Sequence, residues 1–116
     1  MRLYGLRIAV SDLAAAKQFY GQTLGLRQAW EFEGMAVGFD VGGPQFIVEQ
    51  DDGSHGGESL VGRFVGCSIA VDDIEATYRD LTAKGVEFLG PPEKMPWGGT
   101  LAHFKDPSGN TLTLLG

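Results

Sequence analysis

Gly5-Leu-Arg-Ile-Ala-Val-Ser-Asp-Leu13 and Gly66-Cys-Ser-Ile-Ala-Val-Asp-Asp-Ile74 are two versions of one phrase. At an offset of 66 − 5 = 61, Gly5, Ile8, Ala9, Val10 and Asp12 meet Gly66, Ile69, Ala70, Val71 and Asp73. So ordered a match reads as an internal repeat: two copies of one supersecondary unit, each too small to bury its apolar face alone. In the first copy Leu6, Ile8 and Val10 alternate with other residues, and in the second Cys67, Ile69 and Val71 do. That is the pattern of a strand buried on one face.

Each phrase runs on into a helical pattern. In the first copy Ser11 or Asp12 can accept the orphan amides of a helix start, the apolar stripe is Leu13, Ala16, Phe19, Tyr20 and Leu24, and Gly25 suits a left-handed end. In the second, Asp72 or Asp73 caps, Glu75 follows Asp72 at capping-box spacing, and Ile74, Thr77, Tyr78 and Leu81 share a face that ends at Gly85. Three strand-like segments then follow in each copy, at residues 28–32, 35–41 and 45–50 and at residues 86–89, 100–105 and 111–115. Gly42-Gly43-Pro44 and Asp106-Pro-Ser-Gly-Asn110 supply the final hairpin turns. Each unit is therefore βαβββ and the class α+β. The expected layout is a single domain with repeat one at 1–50, a polar linker at 51–62 and repeat two at 63–116.

The 116 residues suit one ordinary domain, and 18 glycines, about twice the usual share, lie scattered between apolar runs as turn residues would. Fifteen acids against nine bases leave a net charge of −6, which opposes binding to nucleic acid or to an anionic membrane. Neither is expected as a partner. A single cysteine, no leader-like opening and no long apolar run predict a soluble, cytoplasmic protein.

The opening RLYGLRIAVSDLAAAKQFYGQTLGL, the second GCSIAVDDIEA and the ending PWGGTLAHFKDPSGNTLTLL, which is the most distinctive, together resemble the vicinal oxygen chelate superfamily across essentially the whole chain. This is the glyoxalase, bleomycin-resistance protein and extradiol dioxygenase superfamily. The resemblance implies two βαβββ units forming a concave mixed sheet with helices on its outer face. It also implies, in the metalloenzyme members, one divalent metal held by the first and last strands of each unit. Laid on that pattern, Gly5 and Gly66 stand at the first-strand donor positions, Glu49 at one carboxylate position and Thr113 at the other. Three of four donors are absent, and one carboxylate does not hold a transition metal. No metal and no other cofactor is expected. His55, Glu58 and His103 around Glu49 are an alternative donor set, but His55 sits in the glycine-rich linker.

Strand parity places Arg7, Ala9, Gln45, Ile47, Ser68, Ala70, Thr111 and Leu115 on the concave face with those four positions. Leu6, Ile8, Val10, Phe46, Val48, Cys67, Ile69, Val71, Leu112 and Leu114 then pack on the helices, and His103 falls on the concave side. Candidate ligand contacts are Arg7, Glu49, Ser68, Trp97, His103, Thr111 and Thr113, with Glu49 and His103 as the candidate acid and base. Each has a plainer alternative. Glu49 also reads as a solvated strand carboxylate, His103 as a structural histidine, and Trp97 as a core cover. Arg7 reads as an ion-pair partner of Glu49, and Cys67 as core rather than nucleophile.

The leading expectation is metal-independent binding of a small organic ligand in the cavity of a homodimer, with a resistance or sequestration role. The rivals are a metal-free lyase or isomerase and a metal-dependent glyoxalase or dioxygenase of the same fold, glyoxalase I chemistry being disfavoured by the missing donors.

Overall fold

A computed structural model describes residues 1–54 and 56–116, which divide into two compact units, Met1–Gly62 and Arg63–Gly116. His55 lies outside the described residues, and with it any donor set built on that side chain. No helix among the described residues is long and apolar enough to cross a membrane.

The first unit runs β1 (Gly5–Val10), α1 (Leu13–Gln18), β2 (Arg27–Phe32), β3 (Ala36–Asp40) and β4 (Gln45–Gln50). Its sheet has the order β1-β4-β3-β2, with β1 parallel to β4 and the other pairs antiparallel. Asp12 makes the cap, its carboxylate accepting the Ala15 amide at 3.1 Å. The helix is not α throughout, because residues Phe19–Thr23 form a π-helical turn before Gly25 stops the chain at φ 75°. The segment buries Ala16, Phe19 and Tyr20, and the Tyr20 ring packs 6.1 Å from Phe39 and 5.3 Å from Phe46. Those contacts identify the helix-covered face of the sheet.

The second unit runs β5 (Phe64–Ala70), α2 (Ile74–Ala83), β6 (Glu87–Phe88), β7 (Glu93–Lys94), β8 (Thr100–Lys105) and β9 (Thr111–Leu115). The sheet order is β5-β9-β8-β6, β7 pairs with β8, and β5 is parallel to β9. The α2 cap is Asp73, which accepts the Ala76 amide at 3.0 Å, so Glu75 is one residue too close for a capping box. The segment expected at 86–89 contracts to two residues and an extra two-residue strand follows it. Pro91 and Pro92 lie between them, and proline donates nothing to a strand ladder. The final turn is held by Asp106, whose carboxylate accepts the Ser108 and Asn110 amides at 2.9 Å each.

The expected core face is largely found, with Ile8, Val10, Phe46, Val48, Leu112 and Leu114 buried. Leu6 is 43% exposed, and Cys67, Ile69 and Val71 are only half-buried. On the opposite faces Ala9, Ile47 and Thr113 are buried too, so the split into a packed and an open face is less clean than alternation alone suggests.

Candidate functional site

In the second unit a polar row crosses three adjacent strands on the face away from α2. Ser68 on β5 pairs with Thr113 on β9, which pairs with His103 on β8. Thr113 is buried, Ser68 is exposed and His103 lies between. His103 Nδ1 is 2.8 Å from Thr113 Oγ1, and the Phe64 ring stands edge-on to the imidazole at 6.0 Å. The hydroxyl therefore fixes the ring, and its proton direction sets whether Nε2 donates or accepts. Beyond His103 the Leu89 amide bonds the His103 carbonyl at 3.0 Å, with the leucine side chain exposed.

The first unit fills the matching row differently. Arg7 pairs with Ile47, Ile47 with Gly38, and Gly38 with Trp30. A β-bulge between Gln28 and Trp30 brings the indole over Gly38, where an added Cβ would collide with the ring. Trp30 Nε1 donates to Gln45 Oε1 at 2.9 Å, which anchors the indole on the face opposite the helix. One step along, the Arg7 guanidinium clasps Glu49. Its Nε lies 3.2 and 3.3 Å from the two carboxylate oxygens and Nη2 2.9 Å from Oε1. The Glu49 hydrogen bond and charge push the Arg7 pKa further above its ordinary value, so Arg7 stays charged. A pocket of about 280 Å³ opens beside this pair, lined by Met35, Ala36, Gln50 and Asp52 as well.

These registers correct one equivalence drawn from the sequence. The repeat offset of 61 matches Arg7 to Ser68, and Arg7 pairs with Ile47 where Ser68 pairs with Thr113. The counterpart of Thr113 is thus Ile47, not Glu49. Glu49 pairs with Ala9, and its counterpart is Leu115, which pairs with Ala70. Gly66 is corrected too: it lies in a register break of β5 between Phe64 and Ser68 at φ 72°, not at a regular strand position.

The positions that would hold a divalent metal do not fit one. A Cβ at Gly5 would stand 2.9 Å from the Gln45 carbonyl oxygen, too close for any side chain unless the backbone of β4 moves. Gly66 holds a left-handed conformation that a histidine adopts only at a cost. Ile47 has no donor atom, and the Thr113 hydroxyl is engaged with His103. Among the described residues no three His, Cys, Asp or Glu side chains gather as a metal site requires.

The remaining sequence candidates fall as follows. Arg7 and Glu49 are brought together as an ion pair within the first unit, and Ser68, His103 and Thr113 line up in the second. Thr111 lies on the same face as Thr113, pairs with Phe64 and is half-buried. Trp97 is 65% exposed and lies over Gly99 between β7 and β8, so the core-cover reading is set aside. Cys67 is half-buried rather than fully core, and that burial pushes its thiol pKa up, away from a nucleophilic thiolate. The sequence alone does not single out Trp30, Met35 or Gln50, and it places Gln45 on the concave face without a role. The one available signal was a tryptophan facing a glycine across the hairpin turn at Gly34.

Comparison with known proteins follows the same lines. A sequence model of the Glyoxalase/Bleomycin resistance protein/Dioxygenase superfamily matches residues 3–114. Protein YraH of Bacillus subtilis (strain 168) is 31% identical over 126 residues, covering 98% of this chain and 97% of that protein. The crystal structure of a member of the superfamily from Sphaerobacter thermophilus DSM 20745 superposes with a TM-score of 0.83 at 33% identity, over 99% of this chain and 96% of that one. TnmS3, an antibiotic binding protein from Streptomyces sp. CB03234, gives 0.78 at 27% identity over 98% and 93%. The chain belongs to the Glyoxalase/Bleomycin resistance protein/Dioxygenase superfamily.

Proposed function

We propose that this member of the glyoxalase/bleomycin resistance/dioxygenase superfamily binds a small organic molecule without a metal ion, in a protective or sequestering role. The observation that carries the reading is the content of the four donor positions: Gly5 without room for a side chain, Gly66 in a left-handed bulge, Ile47 without a donor, and Thr113 bonded to His103. The likeness to TnmS3, an antibiotic binding protein, supports the ligand class. The proposed contacts are Arg7, Glu49, Ser68, Trp97, His103, Thr111 and Thr113. The two units act as one domain in a cytoplasmic homodimer, a reading supported by exposed Leu6 on β1 and Phe64 on β5, strands that end their sheets.

Three measurements test this. Elemental analysis after dialysis against a weak chelator is expected to find no stoichiometric metal, and about one Ni, Zn, Fe or Mn per chain overturns the reading. A thermal-shift screen with antibiotics is expected to raise Tm by mass action for at least one compound class, and no shift with any of them counts against the binding role. Sedimentation showing monomer alone at micromolar concentration removes the homodimer.

One observation favours a second reading, a metal-free lyase or isomerase. The Thr113 bond orients the His103 ring, which suits proton transfer at Nε2. Turnover of an α-keto thioester or a catechol separates it from pure binding.

A further inference from the structure

The Arg7–Glu49 pair is asymmetric. The Arg7 side chain is 65% exposed, whereas that of Glu49 is 27% exposed. Glu49 sits on β4 with partners on both sides, Ala9 on β1 and Ala36 on β3, while Arg7 reaches it from an exposed position on the edge strand β1. The pocket of about 280 Å³ beside them adds a second carboxylate, Asp52, and the apolar surface of Met35 and Ala36, and among the described residues that line it Arg7 is the one cation. Arg7 can leave for solvent that already reaches most of its side chain, so exchanging its fork of N–H donors for an equivalent fork is close to balanced. Glu49, the less exposed partner on an inner strand, stays in place to take another donor.

From this asymmetry we infer that Arg7 is a placeholder: the first-unit pocket takes a ligand bearing a planar cation, an amidinium or guanidinium on an apolar body. The ligand's cation replaces the Arg7 guanidinium on Glu49 while that guanidinium turns to solvent, which leaves the Arg7 alkyl stem as its contact with the ligand. The fork of two N–H donors matches the carboxylate as Arg7 does now, the apolar body lies on Met35 and Ala36, and the chain's net charge of −6 favours the approach of a cation. An anionic ligand would instead have to take Arg7 away from Glu49. The inference rests on the reading that this face binds organic ligands.

The test is a titration of ¹⁵N-labelled protein with benzamidine, its neutral analogue benzamide and its anionic analogue benzoate, followed by amide shifts. Benzamidine is expected to bind best and to move the amides of Met35 and Gln50. The decisive result concerns the variants. Arg7→Ala is expected to tighten benzamidine binding about two- to fivefold, because the competing cation is gone. Glu49→Gln is expected to weaken it about tenfold or more. Benzoate binding better than benzamidine, Arg7→Ala leaving affinity unchanged or weakening it, or no benzamidine binding even to Arg7→Ala would each overturn the inference. All three results leave the broader binding reading to its own thermal-shift screen, so the two can fail separately.

Discussion

The two units repeat one backbone design and fill the same row of it in opposite ways. In the second, Ser68, Thr113 and His103 carry polar side chains across three strands, and the row ends at an exposed Leu89. In the first, the corresponding places are Arg7, Ile47, Gly38 and Trp30, and the indole occupies the space that His103 fills in the other copy. The polar function of the first unit has moved two residues along β4, to the Arg7–Glu49 pair and the pocket beside it. The strand order and the capping aspartates are shared, whereas the face that the helices leave uncovered carries different side chains in each unit.

The comparison breaks most readily at Gly38. Gly38→Ala places a Cβ against the Trp30 ring, and overpacking of this kind is expected to cost about 1–3 kcal/mol, read from the urea midpoint. Unchanged stability would show that Trp30 does not seal the first row. Gly66→Ala tests the bulge that distinguishes β5 from β1. With φ at 72° the substitution is expected to cost about 1–2 kcal/mol, and a neutral result would restore Gly66 to a regular strand position.

Thr113→Val sharpens the comparison by making the second row apolar where the first carries Ile47. The expected loss is about 0.5–1.5 kcal/mol for one hydrogen bond, accompanied by a shift of the His103 ring resonances in NMR. Ring resonances that stay in place would mean Thr113 does not orient the imidazole. Arg7→Ala should have the smallest effect on stability, within about 0.5 kcal/mol and vanishing in molar salt, because its partner contact is solvent-screened. A loss above about 2 kcal/mol that persists in salt would contradict the placeholder role, since surface pairs contribute far less.

Much of this was legible in the chain alone. The matched phrases at Gly5 and Gly66 disclosed the repeat. The capping aspartates, Gly25, Gly85 and the Asp106 turn set element ends, and alternation assigned Arg7, Glu49, Ser68, His103 and Thr113 to one kind of face. Local signals suffice there, since caps and turns depend on residues a few positions apart. Only the tertiary structure decided which residues meet along that face. A strand's side chains repeat every two residues, so sliding β4 by two against β1 leaves every residue on its face and exchanges Ile47 for Glu49 opposite Arg7. Alternation is blind to that slide, and it is equally blind to the bulge that aims Trp30 at Gly38 and to the break that holds Gly66. Those features follow from pairings across the sheet, where the partner strand and not the local sequence chooses the neighbour.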